Sequence, residues 1–325
     1  MKTTRLTLMA LLLLATLSCN RMTLYDLEQR SLKLVLSLKL SIDVKIDPQA
    51  DVDIDIETEI RQPEHMRACF YGVGNGNMIY NEYVGPTGGI ISTPAGSYRM
   101  LVYSFGTEFT QIRNDGNLST IEAFTSDITS SKSSALAACT RGSSDEPQGP
   151  IIYAPDHLLV SLDDVEIPER TSGDHDIVIS TTASTIVKTY SFRVSKVAGA
   201  QYIKSVEAFV TNQSRSSFFG RGEISQEPAT ICFPVGVNRK GGYLYSTFNT
   251  FGKLPGESRS FLHILLYDSD GNEYHISSDI TDQFDNEEHE IEIDEPIDIP
   301  TPSSGGGIAP TVDPWGEENE EVPIG

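Results

Sequence analysis

The strongest constraint on this chain is a run near its start in which every second residue is apolar. The even-numbered residues are Leu32, Leu34, Leu36, Leu38, Leu40, Ile42, Val44 and Ile46, and the odd ones between them are Lys, Ser, Asp or Val. Successive side chains of a strand point to opposite faces, so this period buries one face and wets the other. A helix would scatter the same residues around its circumference. At ~3.3 Å per residue the run would be about 50 Å long, too long for one ordinary strand, which predicts a bend or break near Ser37. Val52, Ile54 and Ile56 resume the alternation. Asp47, Asp51, Asp53, Asp55 and Glu57 then read as the wet side or edge of a sheet, where charge also blunts edge pairing.

The rest of the chain keeps this pattern. Residues 66–73 and 78–84 flank a Gly74-Asn75-Gly76 turn and predict a hairpin. A strand follows at 99–105. Residues 114–149 are rich in Ser, Thr, Ala and Gly, with a short helix or surface loop over 118–136. A strand at 151–160 closes the first half. Pro168, Thr171, Ser172 and Gly173 then interrupt the pattern. Strands are predicted beyond it at 177–181, 185–194, 203–211, 229–237, 243–251, 261–267, 273–280 and 289–293. Many short strands joined by Gly, Pro and Asn turns predict an all-β fold of two β-sandwich domains, over 19–173 and 174–298. Residues 299–325 form an acidic tail rich in Gly and Pro, with too little apolar surface to offset its own ordering entropy.

The first twenty residues bear on the compartment. Lys2 and Arg5 precede an apolar run over 6–17, and Leu17-Ser18-Cys19 follows. About a dozen apolar residues is a signal-peptide core, because a membrane-spanning helix needs about 20. A small residue directly before a cysteine resembles the bacterial lipobox, although Thr16 stands where Leu is usual. The expectation is a signal peptide over 1–18, cleavage before Cys19, and a lipid such as palmitate on Cys19 that holds the protein to the outer membrane. Loss of Lys2 and Arg5 takes the formal charge from −22 to −24. Fifteen acidic residues and no Lys or Arg lie between Asp279 and Gly325. No basic patch exists to neutralise phosphates, which argues against nucleic acid as a partner.

No sequence motif announces catalysis. There is no G-x-S-x-G elbow, H-E-x-x-H helix or phosphate-binding loop. Gly72-Val73-Gly74-Asn75-Gly76 lacks the third spaced glycine and reads as a hairpin turn. His263 and His275 are placed to meet across a hairpin. Asp268, Asp270, Asn272 and Glu273 offer oxygens of the kind calcium takes, but a tight turn demands the same residues. Cys69, Cys139 and Cys232 remain after lipidation, so one internal disulfide at most can form, and none of the spacings is a zinc pattern. Cys69 and Cys232 lie in strand-like runs and read as buried small apolar residues. No cofactor or metal is expected.

Four stretches resemble the fimbrillin-like lipoproteins of Bacteroidota, a group that includes the anchoring subunits of fimbriae. They are Pro94-Ala95-Gly96-Ser97-Tyr98-Arg99-Met100-Leu101-Val102-Tyr103, Tyr153-Ala154-Pro155-Asp156, Val206 to Asn212 with Gly220-Arg221-Gly222, and Gly305-Gly306-Gly307-Ile308 with Val312-Asp313-Pro314-Trp315. The resemblance implies transthyretin-like (immunoglobulin-like) sandwiches, a role in pilus assembly and cell adhesion, fimbrial subunits as partners, and no catalytic residues. Asn20-Arg21-Met22-Thr23 lacks the acidic cluster that often accompanies export to the surface, so surface-exposed and periplasm-facing positions both stay open. The main expectation is a non-enzymatic fimbrial anchor or fimbria-associated subunit, with Trp315 as a docking residue in the tail. A surface lipoprotein that binds a glycan or host protein is the alternative, and a hydrolase without a recognisable motif the remote one.

Overall fold

The computed structural model describes residues 29–302 except 43, 45–52, 55–58, 129–130, 143–144, 170–176, 257 and 286–288. Cys19 and Trp315 lie outside the described residues. Among the described residues the protein is all-β, 58% strand and 5% helix.

The first half contributes β1 (Gln29–Lys39), β2 (Met66–Gly72), β3 (Met78–Val84), β4 (Gly88–Pro94), β5 (Gly96–Ser104), β6 (Gln111–Arg113), β7 (Glu122–Phe124), α1 (Ser131–Thr140), β8 (Ile151–Tyr153), β9 (Leu159–Ile167) and β10 (Ile177–Thr185). Seven of these form one sheet in the order β3-β2-β5-β9-β10-β1-β4. The long alternating run becomes β1, which ends at Lys39, two residues past Ser37. Leu32, Leu34 and Leu36 are buried, as the alternation requires.

This sheet cannot be flat. Its edge strands β3 and β4 would stand about 29 Å apart at ~4.8 Å per strand. Yet Val84 and Gly88 are four peptide steps apart, at most about 14 Å. The sheet therefore curls until its edges approach, and Gly85 bridges Gly88. The inside of the curl holds a core of Leu32, Leu34, Leu36, Met66, Phe70, Ile91, Met100 and Val102. Gly88 makes the curl possible. Its φ is +98°, and a Cβ there would lie 2.1 Å from the Leu34 carbonyl oxygen, so a side chain would force β4 off β1. Tyr98 closes the β4–β5 turn: its hydroxyl donates to the Pro94 carbonyl (3.1 Å) and its ring meets Phe70 edge-on.

The second half contributes β11 (Lys188–Val194), β12 (Val197–Ala198), β13 (Ile203–Ser214), β14 (Ser216–Phe218), β15 (Glu223–Ile224), β16 (Pro228–Pro234), β17 (Gly236–Asn238), β18 (Tyr243–Thr250), β19 (Phe261–Asp268), β20 (Glu273–Asp279), β21 (Glu290–Ile293) and β22 (Ile297–Asp298). A five-stranded sheet, β20-β19-β13-β16-β8, faces a four-stranded one, β17-β18-β11-β21. Even-numbered residues of β13 and β19 meet Tyr190, Phe192 and Val194 of β11 in one cluster, as two facing sheets require. On the outer side of the five-stranded sheet, Leu136 of α1 packs on Phe209 and Leu265.

The two halves interleave. β8, from the first half, pairs in parallel with β16 of the second-half sheet. β14 and β15, from the second half, form a small sheet with β6 and β7 of the first, in the order β15-β14-β7-β6. That sheet covers the outer side of β2, β5 and β9 through Leu101, Tyr103, Leu118, Ile121 and Phe219. The stretch 151–160, read as one strand, is two strands in different sheets. Pro155 lies between them and has no N–H to offer a ladder. The segment 177–185, read as the opening of the second half, pairs in parallel with β1 in the curled sheet.

Candidate functional site

A groove of about 700 Å³ opens where the curled sheet, the small mixed sheet and the β2–β3 turn meet. The turn is fixed locally, with Gly76 N–H donating to Gly72 (2.8 Å) and Asn77 N–H to the Asn75 side chain (3.0 Å). It is a hairpin turn, as the residue types predict. A second loop is tied to it: Leu118 N–H donates to Gly76 (2.8 Å), Met78 N–H to Gly116 (2.9 Å), and Asn117 Nδ2 to both Asn75 O and Asn77 Oδ1. The third wall is the Gly220-Arg221-Gly222 turn. A Cβ on Gly220 would stand 2.1 Å from the Leu118 carbonyl oxygen, so glycine lets this turn lie on the second loop.

Two guanidinium groups reach the groove. Arg99 pairs with Asp164 at 3.3 Å, and Arg221 pairs with Glu223 at 3.1 Å while lying over the Phe218 ring. Both pairs are solvent-exposed, so each holds its partner weakly. Among the described residues that line the groove there is no His or Cys, and Glu223 is the single carboxylate. The groove therefore holds no general acid–base pair. It can take a polar or anionic group at its rim.

Beside the groove, Arg67 donates to Asp115 (2.5 Å) and to the Tyr103 hydroxyl (3.0 Å), while the Tyr71 hydroxyl donates to the Asp115 carbonyl. Cys69 is fully buried in this cluster, and burial pushes its thiol up to about 11. Such a thiol stays protonated and inert. Cys232 is half-buried, and neither of the two forms a disulfide.

The expected histidine pair forms. His263 is fully buried, with Nδ1 3.1 Å from His275 Nε2 and Nε2 3.1 Å from the Asp145 carbonyl oxygen. That carbonyl can only accept, so His263 Nε2 carries the proton, and its bare Nδ1 receives the Nε2–H of His275. The rings are 18° from parallel with centroids 5.3 Å apart, the separation of two nearly coplanar rings meeting head-on. The N–H of one ring points at the lone pair of the other, and the two nitrogens do not converge on a third point, so this is a hydrogen bond and not a metal seat. Among the described residues no group of three or more His, Cys, Asp or Glu is arranged to hold a metal ion.

The possible calcium oxygens are a turn. Asp268 Oδ1 accepts from the backbones of Asp270 (2.9 Å) and Asn272 (2.8 Å), and Oδ2 from the Asn272 side chain (2.8 Å) and the Tyr274 hydroxyl (3.0 Å). The Asn272 side chain first, with these other donors, holds the carboxyl below the usual range. Asp156, of the Tyr153-Ala154-Pro155-Asp156 stretch, likewise accepts the backbone N–H groups of Phe109 (2.5 Å) and Thr110 (2.9 Å). Its role is to pin a loop. Sequence reading missed the groove, because its walls come from segments about a hundred residues apart; the Gly220-Arg221-Gly222 stretch was the signal available.

The family model "Domain of unknown function (DUF5119)" matches residues 43–234. The chain is 25% identical over 303 residues to the "Putative fimbrium anchoring subunit Fim4B" of Bacteroides ovatus, covering 81% of this chain and 85% of that protein. It also resembles the crystal structure of a "putative adhesin" from Bacteroides ovatus, with a TM-score of 0.58 and 21% identity over 86% of this chain and 97% of that one. The second likeness establishes the shared fold.

Proposed function

The chain belongs to the DUF5119 family, and from that premise we propose that it is a lipid-anchored structural subunit of a fimbrium, most specifically its anchor. The observation that carries this is the similarity to a fimbrium anchoring subunit across four-fifths of the chain, joined to the Leu17-Ser18-Cys19 lipobox at its start. Lipid on Cys19 fixes the protein to the outer membrane, two transthyretin-like sandwiches form the stalk, and an acidic tail over 299–325 extends from it. In this reading the function is mechanical and involves no catalysis. The interleaved sheets support that reading, because force passing from one half to the other crosses hydrogen-bonded strands rather than a bare linker.

The test has two parts. Changing Cys19 to Ala should abolish lipid labelling and move the protein out of the membrane fraction; unchanged labelling removes the anchor. Deleting the whole chain should leave subunit polymerisation intact but shed fimbriae into the medium. Fimbriae retained on the cell at normal number would contradict an anchoring role.

A second reading has one observation of its own. The groove presents Arg99 and Arg221 at its rim, a setting for an acidic glycan or a protein carboxylate. Direct binding to an acidic polysaccharide that is lost in an Arg99→Ala, Arg221→Ala double variant would favour this surface-lipoprotein role.

A further inference from the structure

The curled sheet carries a solvent-exposed face whose own strands bring no carboxylate. The strands β10, β1 and β4 are neighbours, and none contains an Asp or Glu, in a chain that has 46 of them and a formal charge of −22. Their inward residues fill the core, and their outward residues meet solvent. The register sets those outward residues in rows. Lys33 pairs with Ile90 on one side and with Val178 on the other. Ile90 is 72% exposed and Val178 57%. Lys39 is exposed further along β1, and from Ser31 onwards the remaining outward positions of β1 and those of β10 beyond Val178 are Ser and Thr apart from the half-buried Val35. Among the described residues neither Lys33 nor Lys39 has an ion-pair partner. The small mixed sheet covers the outer side of β2 and β5 and the Val160–Leu162 end of β9 and leaves this part open, with Asp163, Asp164 and Glu166 of β9 exposed along its border.

We infer that this acid-free face lies against an anionic lipid surface when Cys19 is lipidated; the inference rests on the anchor reading above. Two features select lipid. The first is charge: a chain of net negative charge is least repelled by an anionic bilayer in the orientation that turns its lysines and bare apolar side chains toward the headgroups. The second is reach. β1 is the first described strand after Cys19, and ten residue steps from Cys19 to Gln29 span at most about 35 Å, so the tether ends on the very sheet that carries the face. Tethering raises the local concentration toward the millimolar range, where a two-lysine, two-aliphatic contact is enough to bias orientation. The face would hold the curled sheet down on the membrane and leave the second-half sandwich pointing away.

The test uses the full lipidated chain, bound to vesicles of phosphatidylcholine alone or of phosphatidylcholine with one quarter phosphatidylglycerol. Hydroxyl-radical labelling read by mass spectrometry reports side-chain exposure. Ile90 and Val178 should label about threefold less on the anionic vesicles, while Ile79 and Tyr83, exposed on β3, label equally on both. A Lys33→Glu, Lys39→Glu variant with an unchanged circular dichroism spectrum should lose the protection. Equal labelling of Ile90 and Val178 on both vesicles, by a chain that does partition to them, overturns the inference while leaving the anchor intact. Protection in solution without vesicles overturns it too, by making this face a contact between protein molecules. A chain that carries no lipid and stays in the supernatant removes the anchor reading, and this inference with it.

Discussion

Replacing His263 by Phe should remove an acid-sensitive part of the protein's stability, and the size of that part follows from the site. Burial first, and the neighbouring His275 second, push the pKa of His263 down from 6.5 to about 4. Burial also lowers His275, against the opposing pull of Asp145 and Glu273. The unfolded chain restores His263 to 6.5. Above that pH neither state takes the proton, and the pair makes no pH-dependent difference. Between pH 6.5 and 4 the unfolded chain binds a proton that the folded protein refuses, so stability falls as the pH falls. Below pH 4 the loss is complete. The gap between 6.5 and 4 corresponds to about 3 kcal/mol, a substantial part of the ~5–15 kcal/mol that holds a domain together. The assay is urea unfolding of wild type and His263→Phe at a series of pH values from 4 to 7, followed by circular dichroism. Comparing the two proteins cancels the titration of the many carboxylates. Their stability difference should shift by about 3 kcal/mol across the series in favour of the variant at low pH. Two parallel curves would refute the account, because they would mean that His263 takes its proton in the folded state as readily as in the unfolded one.

Other consequences are open to direct measurement. Gly88→Val should cost well over 1 kcal/mol, or prevent folding, because its Cβ meets the Leu34 carbonyl at 2.1 Å; a denaturation midpoint equal to wild type would show that the curl does not need close contact there. Phe209→Ala should lose about 3–5 kcal/mol by opening a cavity between α1 and the five-stranded sheet, read as a lower midpoint at unchanged m-value. Deletion of residues 300–325 should weaken assembly without unfolding the body, and Trp315 fluorescence should shift to the blue when a partner fimbrial subunit is added. Burial of that indole would contribute about 2–3 kcal/mol, and a tail-deleted protein that assembles at full strength would leave the tail as a spacer.

Which parts of this architecture could be read from the sequence depends on the range of the interactions that decide them. The class of fold was legible because alternation is a local signal. Leu32, Leu34 and Leu36 announce their buried face without reference to any partner. The β2–β3 and β19–β20 hairpins were legible for the same reason, and with them the meeting of His263 and His275, which are diagonal neighbours in a register set by the turn. What could not be read is the pairing of strands distant in sequence. β6, β7, β14 and β15 are two or three residues long, too short to show a period, and the two short pairs form one sheet only because β7 meets β14 about a hundred residues away. The parallel register of β1 with β10 is equally invisible: Ile177 and Ile179 alternate as they would in any sheet, and nothing in their own neighbourhood names β1 as the partner. A gap in the apolar pattern near position 173 marks where strand chemistry pauses, not where the chain changes sheet. The groove inherits this limit. Its walls are individually readable as turns, by Gly76 and by Gly220, but their meeting depends on the long-range pairing of β7 with β14, so the site is a property of the topology rather than of any one stretch of sequence.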